Sequence, residues 1–154
     1  MNTTQLSLRD QLFSCVGCEL KDEGIPVMGV GPKEAEFMFI GEAPGAKEAK
    51  RGVPFTGAAG WKLRSLFKGA GIVREDVYIT NVVKHRPPKN RTPYAREIKA
   101  CIPWLHKELS SVQPRVIVTM GLPAARCFDK SIVLENDHGR AREVTYNGVE
   151  YVHV

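Results

Sequence analysis

Short, uninterrupted apolar runs recur along the chain, each bounded by glycine, proline or polar residues. Runs of this length, rich in β-branched and aromatic residues, predict buried β-strands. They lie at 36–41, 76–83 and 115–121. The segment REVTYNGVEYVHV at 142–154 alternates between apolar and polar residues instead. Its central Asn147-Gly148 pair is typical of a tight turn, so this segment predicts a β-hairpin.

Helical spacing fills the stretches between these strands. Short helices are predicted at 45–52 and 122–130, and a longer one at 57–72 has an apolar face that ends at glycines. The clearest helix runs to about Val112, with Thr92 as its predicted cap and Pro93 at its first position. Strands that alternate with helices indicate an α/β fold. We expect a three-layer sandwich, with a central mostly parallel sheet flanked by helices, and a single domain over residues 1–154.

Composition agrees with an ordinary globular domain of 154 residues, because 43% of the residues are hydrophobic and 25% are charged. No apolar run approaches ~18 residues, so no membrane span is expected. The first 18 residues lack a basic region followed by an apolar stretch, which makes the cytoplasm the expected location. The net charge of +5 is compatible with a polyanionic partner. Basic residues cluster at 84–91 and 138–142, either to contact such a partner or as solvated loops.

Candidate chemistry gathers where the predicted strands end. Open α/β sheets place their ligands at the carboxyl ends of the strands. The first strand runs into GEAPG at 41–45, where glycines allow close approach of a ligand to the backbone. Glu42 in this loop either orients a water or acts as a base, or it is an exposed residue of a strand-to-helix turn. The Gly-Lys-Ser/Thr ending of a phosphate-binding loop is absent.

Two further side chains have the chemistry of a base-binding pocket. Phe55 lies between glycine-containing loops and can stack on a planar ring, or it can anchor the core. Asn81 ends the second strand, and its carboxamide offers a donor beside an acceptor, which can pair with the edge of a pyrimidine. The alternative for Asn81 is a residue that caps a turn.

Four cysteines raise the question of a metal. Cys15 and Cys18 form a CxxC pair, and two more ligands could come from His85 and Cys101. This set is chemically able to bind zinc or an iron–sulfur cluster. A CxxC pair can also be a redox pair without metal. Cys127 lies in an apolar helical segment and is expected to be a buried, inert thiol.

These motifs together resemble the iron–sulfur uracil-DNA glycosylases, the branch often called family 4. The resemblance runs along nearly the whole chain and depends on six segments in order. They are CVGC at 15–18, GEAPGAKE at 41–48, RGVPFTGAAG at 51–60, REDVYITNVVKHRPPKNRTP at 74–93, EIKACIPWL at 97–105 and PRVIVTMG at 114–121. A single one of these motifs would be weak, whereas six with family-like spacing are specific.

The resemblance implies an α/β sandwich that flips uracil out of DNA and hydrolyses its N-glycosidic bond. It implies that Gly41, Glu42 and Ala43 line the uracil site, that Phe55 stacks on uracil and that Asn81 excludes cytosine. Glu42 would hold the attacking water or the developing sugar cation, and Glu48 matches a second acidic position linked to activity. The expected DNA contacts are Lys84, Arg86, Lys89, Asn90 and Arg91. We expect a monomer that acts on uracil in single- or double-stranded DNA.

The resemblance also implies a [4Fe–4S] cluster held by Cys15, Cys18 and Cys101. His85 stands where the family usually has another cluster cysteine, so His85 is expected either to ligate iron, or to mark loss of the cluster or its replacement by zinc. The strand that ends at 154 leads in the family into a His-Pro motif whose His contacts uracil. We therefore expect a chain that is short at its C-terminal end, with an exposed sheet edge. His153 is expected to be a surface or core residue.

Three functions follow as hypotheses. The first is a monofunctional uracil-DNA glycosylase, since hydrolysis needs no amine nucleophile and no lysine lies in a pocket motif. The second is a non-catalytic protein that binds uracil or nucleic acid and has lost the histidine donor. The third is a metal-stapled module for phosphate or nucleoside binding. A pure binding protein does not need the carboxylate of Glu42, so that residue favours an enzyme.

Overall fold

A five-stranded sheet forms the centre of the protein in a computed structural model that describes residues 7–154. The strands are β1 (Phe37–Gly41), β2 (Tyr78–Asn81), β3 (Val116–Thr119), β4 (Arg142–Tyr146) and β5 (Val149–His153). Their order is β2-β1-β3-β5-β4. All neighbouring strands are parallel except β4, which is antiparallel to β5. The prediction of a mostly parallel sheet is confirmed.

Six helices surround this sheet among the described residues. They are α1 (Leu8–Phe13), α2 (Ala46–Arg51), α3 (Ala58–Ala70), α4 (Ala95–Val112), α5 (Leu122–Phe128) and α6 (Leu134–Asp137). Short 3-10 turns occur at Glu19–Asp22, Arg74–Asp76 and Pro88–Asn90. None of the helices within residues 7–154 is both long and apolar enough to cross a membrane.

The alternation of side chains along β1 divides the core into two layers. Met38 and Ile40 point to a large cluster that includes Leu105 and Leu109 of α4. Phe39 points the opposite way, to a smaller cluster that contains Leu63 and Phe67 of α3. Because successive strand residues face opposite sides, one apolar run covers both faces of the sheet. The expected sandwich with helices on both faces is confirmed.

The hairpin predicted at the end of the chain is present. Asn147 and Gly148 both have positive φ, at 50° and 75°, as a tight two-residue turn requires. Strand β5 then pairs in parallel with β3, so the hairpin extends the central sheet. His153 in β5 is buried and its Nε2 lies 2.8 Å from Thr119 Oγ1. His153 is therefore a core residue, which is one of the two positions expected for it.

The predicted start of the long helix is wrong by two residues. Helix α4 begins at Ala95, after Tyr94, rather than at Pro93 after a Thr92 cap. Glu97 accepts a hydrogen bond from the Tyr94 backbone N–H at 2.7 Å, which satisfies a donor that precedes the first turn. The carboxylate of Glu97 therefore fixes where the helix starts.

Candidate active site

A cleft of about 480 Å³ opens at the carboxyl ends of β1 and β2. This volume is within the range of small-molecule binding sites. Residues of the predicted site that line it are Glu42, Ala43, Glu48, Phe55, Asn81, Asn90 and Arg91. Lys47 lines it as well, so the expectation that no lysine lies at the pocket is wrong. The fold thus gathers residues between positions 42 and 91, about a third of the chain, into one concave surface.

Gly41 brings Phe55 and Asn81 to the same point of this cleft. Gly41 ends β1 and pairs with Asn81 at the end of β2. A Cβ on Gly41 would lie 2.5 Å from Asn81 Oδ1 and 2.6 Å from Phe55 Cζ, closer than real Cβ atoms approach. The absent side chain is therefore what lets the aromatic ring and the carboxamide lie against the end of β1.

Phe55 is held in an uncommon backbone conformation. Its φ is 56°, in the left-handed region that side chains seldom adopt. The loop passes so close to α3 that a Cβ on Gly60 would lie 1.8 Å from the Phe55 carbonyl oxygen. The ring is only partly buried and also packs on the cluster of Phe39, Leu63 and Phe67. One edge of the ring is thus anchored in the core and another faces the cleft.

Glu42 follows directly on the strand end and is half-buried. Burial raises the pKa of its carboxyl group, and a hydrogen bond with the Thr92 side chain partly opposes that rise. A carboxylate with few water contacts is a stronger base than a solvated one. Its position at the cleft suits it to hold a water or to face a developing positive charge.

Glu48 joins the two glycine-rich loops of the site. Its side chain is only 7% exposed, and Oε1 accepts a hydrogen bond from the Gly57 backbone N–H at 2.7 Å. A Cβ on Gly45 would lie 2.8 Å from the other oxygen, Oε2. The carboxylate therefore lies between the GEAPG loop and the loop that carries Phe55, and it fixes the distance between them.

Four of the five predicted DNA-contacting residues lie at or near the surface beside the cleft. Lys89 and Asn90 are exposed, and Arg86 Nε donates to Asn90 Oδ1 at 2.7 Å. Arg91 makes two hydrogen bonds with Glu97, at 2.7 and 2.8 Å, and its guanidinium lies 3.7 Å from the centre of the Tyr94 ring. Arg91 is thus already paired, which leaves Arg86 and Lys89 as the freer cations of this loop.

The prediction for Lys84 is wrong, because Lys84 is completely buried. Its ammonium group forms an ion pair with Glu108 of α4 and cannot reach a phosphate at the surface. A prediction from clustered basic residues assumes that each side chain is solvated. This assumption fails when a basic residue is buried beside a carboxylate. Glu108 was readable from the sequence, since it lies on the apolar stripe of α4 between Leu105 and Val112. The sequence did not reveal the ion pair of Glu97 with Arg91 or the hydrogen bond of Thr92 with Glu42, since it predicts Thr92 only as a helix cap.

The three candidate cysteines lie near each other at the start of the chain and in α4. Burial raises the pKa of the Cys101 thiol to about 11, with smaller contributions that include the nearby thiols of Cys18 and Cys15. Trp104 Nε1 donates to Cys15 Sγ at 3.3 Å. Burial also lowers the pKa of His85, which favours the neutral imidazole that binds metals.

The thiols of Cys15, Cys18 and Cys101 and the imidazole of His85 are suitable ligands for a metal centre. Their side chains are not, however, arranged around a common metal position. Within residues 7–154, no group of three or more His, Cys, Asp or Glu side chains forms a site that could hold a metal ion. Cys127 is separate from the set and only partly buried, and its Sγ donates to the Pro123 carbonyl at 3.2 Å. That contact agrees with an inert structural thiol, although its burial is less complete than expected.

The sequence is similar to proteins of one family. The family model described as Uracil DNA glycosylase superfamily matches residues 28–152. The chain is 46% identical to the type-4 uracil-DNA glycosylase of Archaeoglobus fulgidus over 117 residues, 75% of this chain and 59% of that protein. It is 47% identical to the type-4 enzyme of Saccharolobus solfataricus over 116 residues, 74% of this chain and 54% of that protein.

A bacterial relative gives the same result. The type-4 uracil-DNA glycosylase of Thermotoga maritima is 42% identical over 120 residues, which are 77% of this chain and 62% of that protein. The matched part of this chain thus corresponds to between about half and three-fifths of the length of these curated relatives.

Proposed function

The chain belongs to the uracil DNA glycosylase superfamily, and on that premise we propose that it removes uracil from DNA as a step of base excision repair. The observation that carries this proposal is the meeting of Phe55, Asn81 and Glu42 in one cleft at the strand ends. A flat ring, a paired donor and acceptor, and a carboxylate are what a site for a flipped pyrimidine nucleotide requires.

Binding is assigned to the first two of these side chains. Phe55 stacks on the face of the flipped uracil, at the end of β1 where Gly41 leaves room. The Asn81 carboxamide donates to one uracil oxygen and accepts from the neighbouring ring N–H. Cytosine presents a different donor and acceptor pattern at that edge, so it leaves a polar group unpaired. Gly41 and Ala43 complete the wall of the uracil site.

The bond-breaking step is assigned to Glu42. The bond between C1′ of the sugar and N1 of uracil breaks, and its electron pair leaves with the base. The resulting positive charge on the sugar is stabilised by the carboxylate, which also orients the attacking water. The water oxygen bonds to C1′ and its proton is released, which yields a free base and an abasic sugar. No amine takes part in this scheme, so the strand itself stays intact.

Contact with the DNA backbone is assigned to the loop at 84–91. Arg86 and Lys89 lie beside the cleft and are suited to phosphate oxygens, and Asn90 is held by Arg86. The substrate is uracil-containing DNA, either single- or double-stranded. We place this activity in the cytoplasm.

Base selectivity tests the proposal through Asn81. Replacing Asn81 by Asp removes the amide donor, so we expect uracil excision to fall by about 10²-fold and the preference for uracil over cytosine to weaken. The measurement is kcat/KM on two oligonucleotides that differ only at the target base. An Asn136→Asp protein, altered in the exposed α6, is the matched control. Unchanged selectivity in the Asn81 variant would remove Asn81 from base recognition.

We further propose that Cys15, Cys18, Cys101 and His85 hold a [4Fe–4S] cluster, with zinc as the alternative. Such a group would join the start of the chain to α4 as a structural staple. Protein purified without oxygen should be brown, with absorbance near ~400 nm. Cys101→Ser should abolish the colour and the bound iron, whereas Cys127→Ser should retain both. Colourless protein with one zinc supports the alternative, and protein with neither metal contradicts both forms of the proposal.

A further inference from the structure

The buried Lys84 is hydrogen bonded directly to the residue that reads the base. Lys84 is 0% exposed, and its ammonium donates to the Asn81 backbone carbonyl at 2.5 Å. It also donates to Thr80 Oγ1 at 2.7 Å and to Glu108 Oε2. An ammonium group has three protons to donate, and these three contacts use all of them. Lys84 therefore holds the end of β2 from below the cleft.

Glu108 is held as firmly as Lys84. Its Oε1 accepts from the Gly29 backbone N–H at 2.8 Å and from the Tyr78 hydroxyl at 3.1 Å. The Thr80 hydroxyl lies within 3.0 Å of both carboxylate oxygens. Glu108 is itself 0% exposed and belongs to α4. The network thus ties β2 and the loop after it to the longest helix of the protein.

Fold stability does not by itself explain a buried ion pair. Removal of two charges from water is costly, and well-packed apolar residues of similar volume often stabilise a protein as well or better. An apolar side chain at position 84 could not, however, donate a hydrogen bond to the Asn81 carbonyl. The distinctive property of this pair is therefore a fixed donor beneath Asn81.

The position of Asn81 leaves little tolerance for movement. Its Oδ1 lies so close to Gly41 that a Cβ there would be 2.5 Å away, and the Phe55 ring would lie 2.6 Å from that same Cβ. Binding constellations lose their selectivity when their groups shift by about 0.5 Å. A rotation of the Asn81 peptide would turn the carboxamide with it and misalign its donor and acceptor.

We propose that Lys84, held in place by Glu108, is a positioning residue that fixes Asn81 for discrimination between uracil and cytosine. The inference rests on the proposed function, in which Asn81 reads the base. It assigns a role in specificity to two residues that touch neither substrate nor solvent.

The decisive variant replaces both partners by apolar residues, as Lys84→Met with Glu108→Leu. This leaves no unpaired buried charge. It does leave the Gly29 N–H and the Tyr78 and Thr80 hydroxyls without the Glu108 acceptor, so the thermal midpoint should fall, and selectivity is measured well below that midpoint. We expect the ratio of uracil to cytosine excision, each as kcat/KM, to fall by about 10-fold because Asn81 loses its donor. Tyr78→Phe is the matched control, since it removes a hydrogen bond to Glu108 but leaves the contact between Lys84 and Asn81. Its selectivity should stay within about twofold of the unaltered protein.

A second readout does not depend on catalysis. In the unaltered protein the side-chain amide of Asn81 should give one sharp pair of ¹⁵N-correlated resonances that shift when free uracil is added. In the double variant these resonances should broaden or double, and their response to uracil should weaken. Absence of excision by the unaltered protein would refute the proposed function, while these resonances would still test the positioning role.

A double variant that keeps both its selectivity and its sharp Asn81 resonances overturns the proposal. If that variant does not fold, the unaltered protein still provides a test. A buried, hydrogen-bonded ammonium exchanges its protons slowly, so Lys84 should give a protected ¹⁵N signal at neutral pH with through-space contacts to Asn81. Absence of that signal overturns the proposal as well.

Discussion

Replacing Glu42 by Gln is expected to slow uracil excision by about 10³-fold, while affinity for uracil-containing DNA changes by less than about threefold. In the proposed function the carboxylate acts on the positive charge that develops on the sugar, and that charge is absent from the bound ground state. Glutamine keeps the size of the side chain and loses the negative charge. Single-turnover excision gives the rate, and fluorescence anisotropy with a labelled oligonucleotide gives the affinity.

The pH dependence supplies a check with a definite sign. Burial raises the pKa of Glu42, and the proposed function requires the ionised form. The rate should therefore fall as the pH drops through this raised pKa, at a higher pH than for an ordinary glutamate. The Glu42→Gln protein should not show this fall in rate at low pH. The Glu34→Gln protein, altered at an exposed residue, should keep both the rate and the pH dependence of the unaltered protein. Equal losses of affinity and rate in the Glu42 variant would make Glu42 a structural residue.

Replacing Gly60 by Ala should abolish excision and cost about 3 kcal/mol of the free energy of unfolding. The new Cβ would lie 1.8 Å from the Phe55 carbonyl oxygen. That oxygen belongs to the backbone, so the whole loop must move and Phe55 must leave the end of β1. Denaturant unfolding gives the stability, and excision at protein excess gives the activity.

Helix α3 offers its own control for this change. Gly69 is exposed near the end of the same helix, and a Cβ there would meet nothing within 4 Å. Alanine favours a helix over glycine, so Gly69→Ala should raise the stability by up to about 1 kcal/mol and leave excision unchanged. An active and stable Gly60→Ala protein would show that the position of Phe55 is not needed for excision.

The strands were predictable because two features of the sequence indicate them. These are the apolar composition of each strand and the residues at which the strands end. Gly41 closes the first apolar run, and the Asn147-Gly148 pair defines the hairpin. Strand β2 ends at Asn81, two residues before the end of the predicted run at 76–83. The start of α4 was not predictable in the same way. Thr92 and Pro93 form a good local start signal, but a hydrogen bond between Glu97 and the Tyr94 backbone outweighs it.

The site shows why the sequence alone does not decide between two roles for one residue. The sequence allows Phe55 either in the core or in a pocket, and the residue contributes to both. The sequence groups Lys84 with its basic neighbours, and only the fold brings it to Glu108, 24 residues later in the chain. Burial of a charged residue depends on its partner, which local sequence does not identify. The closeness of the cysteines proposed as metal ligands likewise depends on how the start of the chain packs on α4.

Release of uracil from a single-stranded oligonucleotide tests the central claim most directly. A single strand presents its base without unpairing, so it tests the cleft alone. We predict that the unaltered protein yields a strand that breaks at the uracil only after alkali, with no break at thymine in the same position and a much slower reaction for Glu42→Gln. Tight binding to the uracil strand without any alkali-sensitive product would contradict the claim and favour the non-catalytic binding protein.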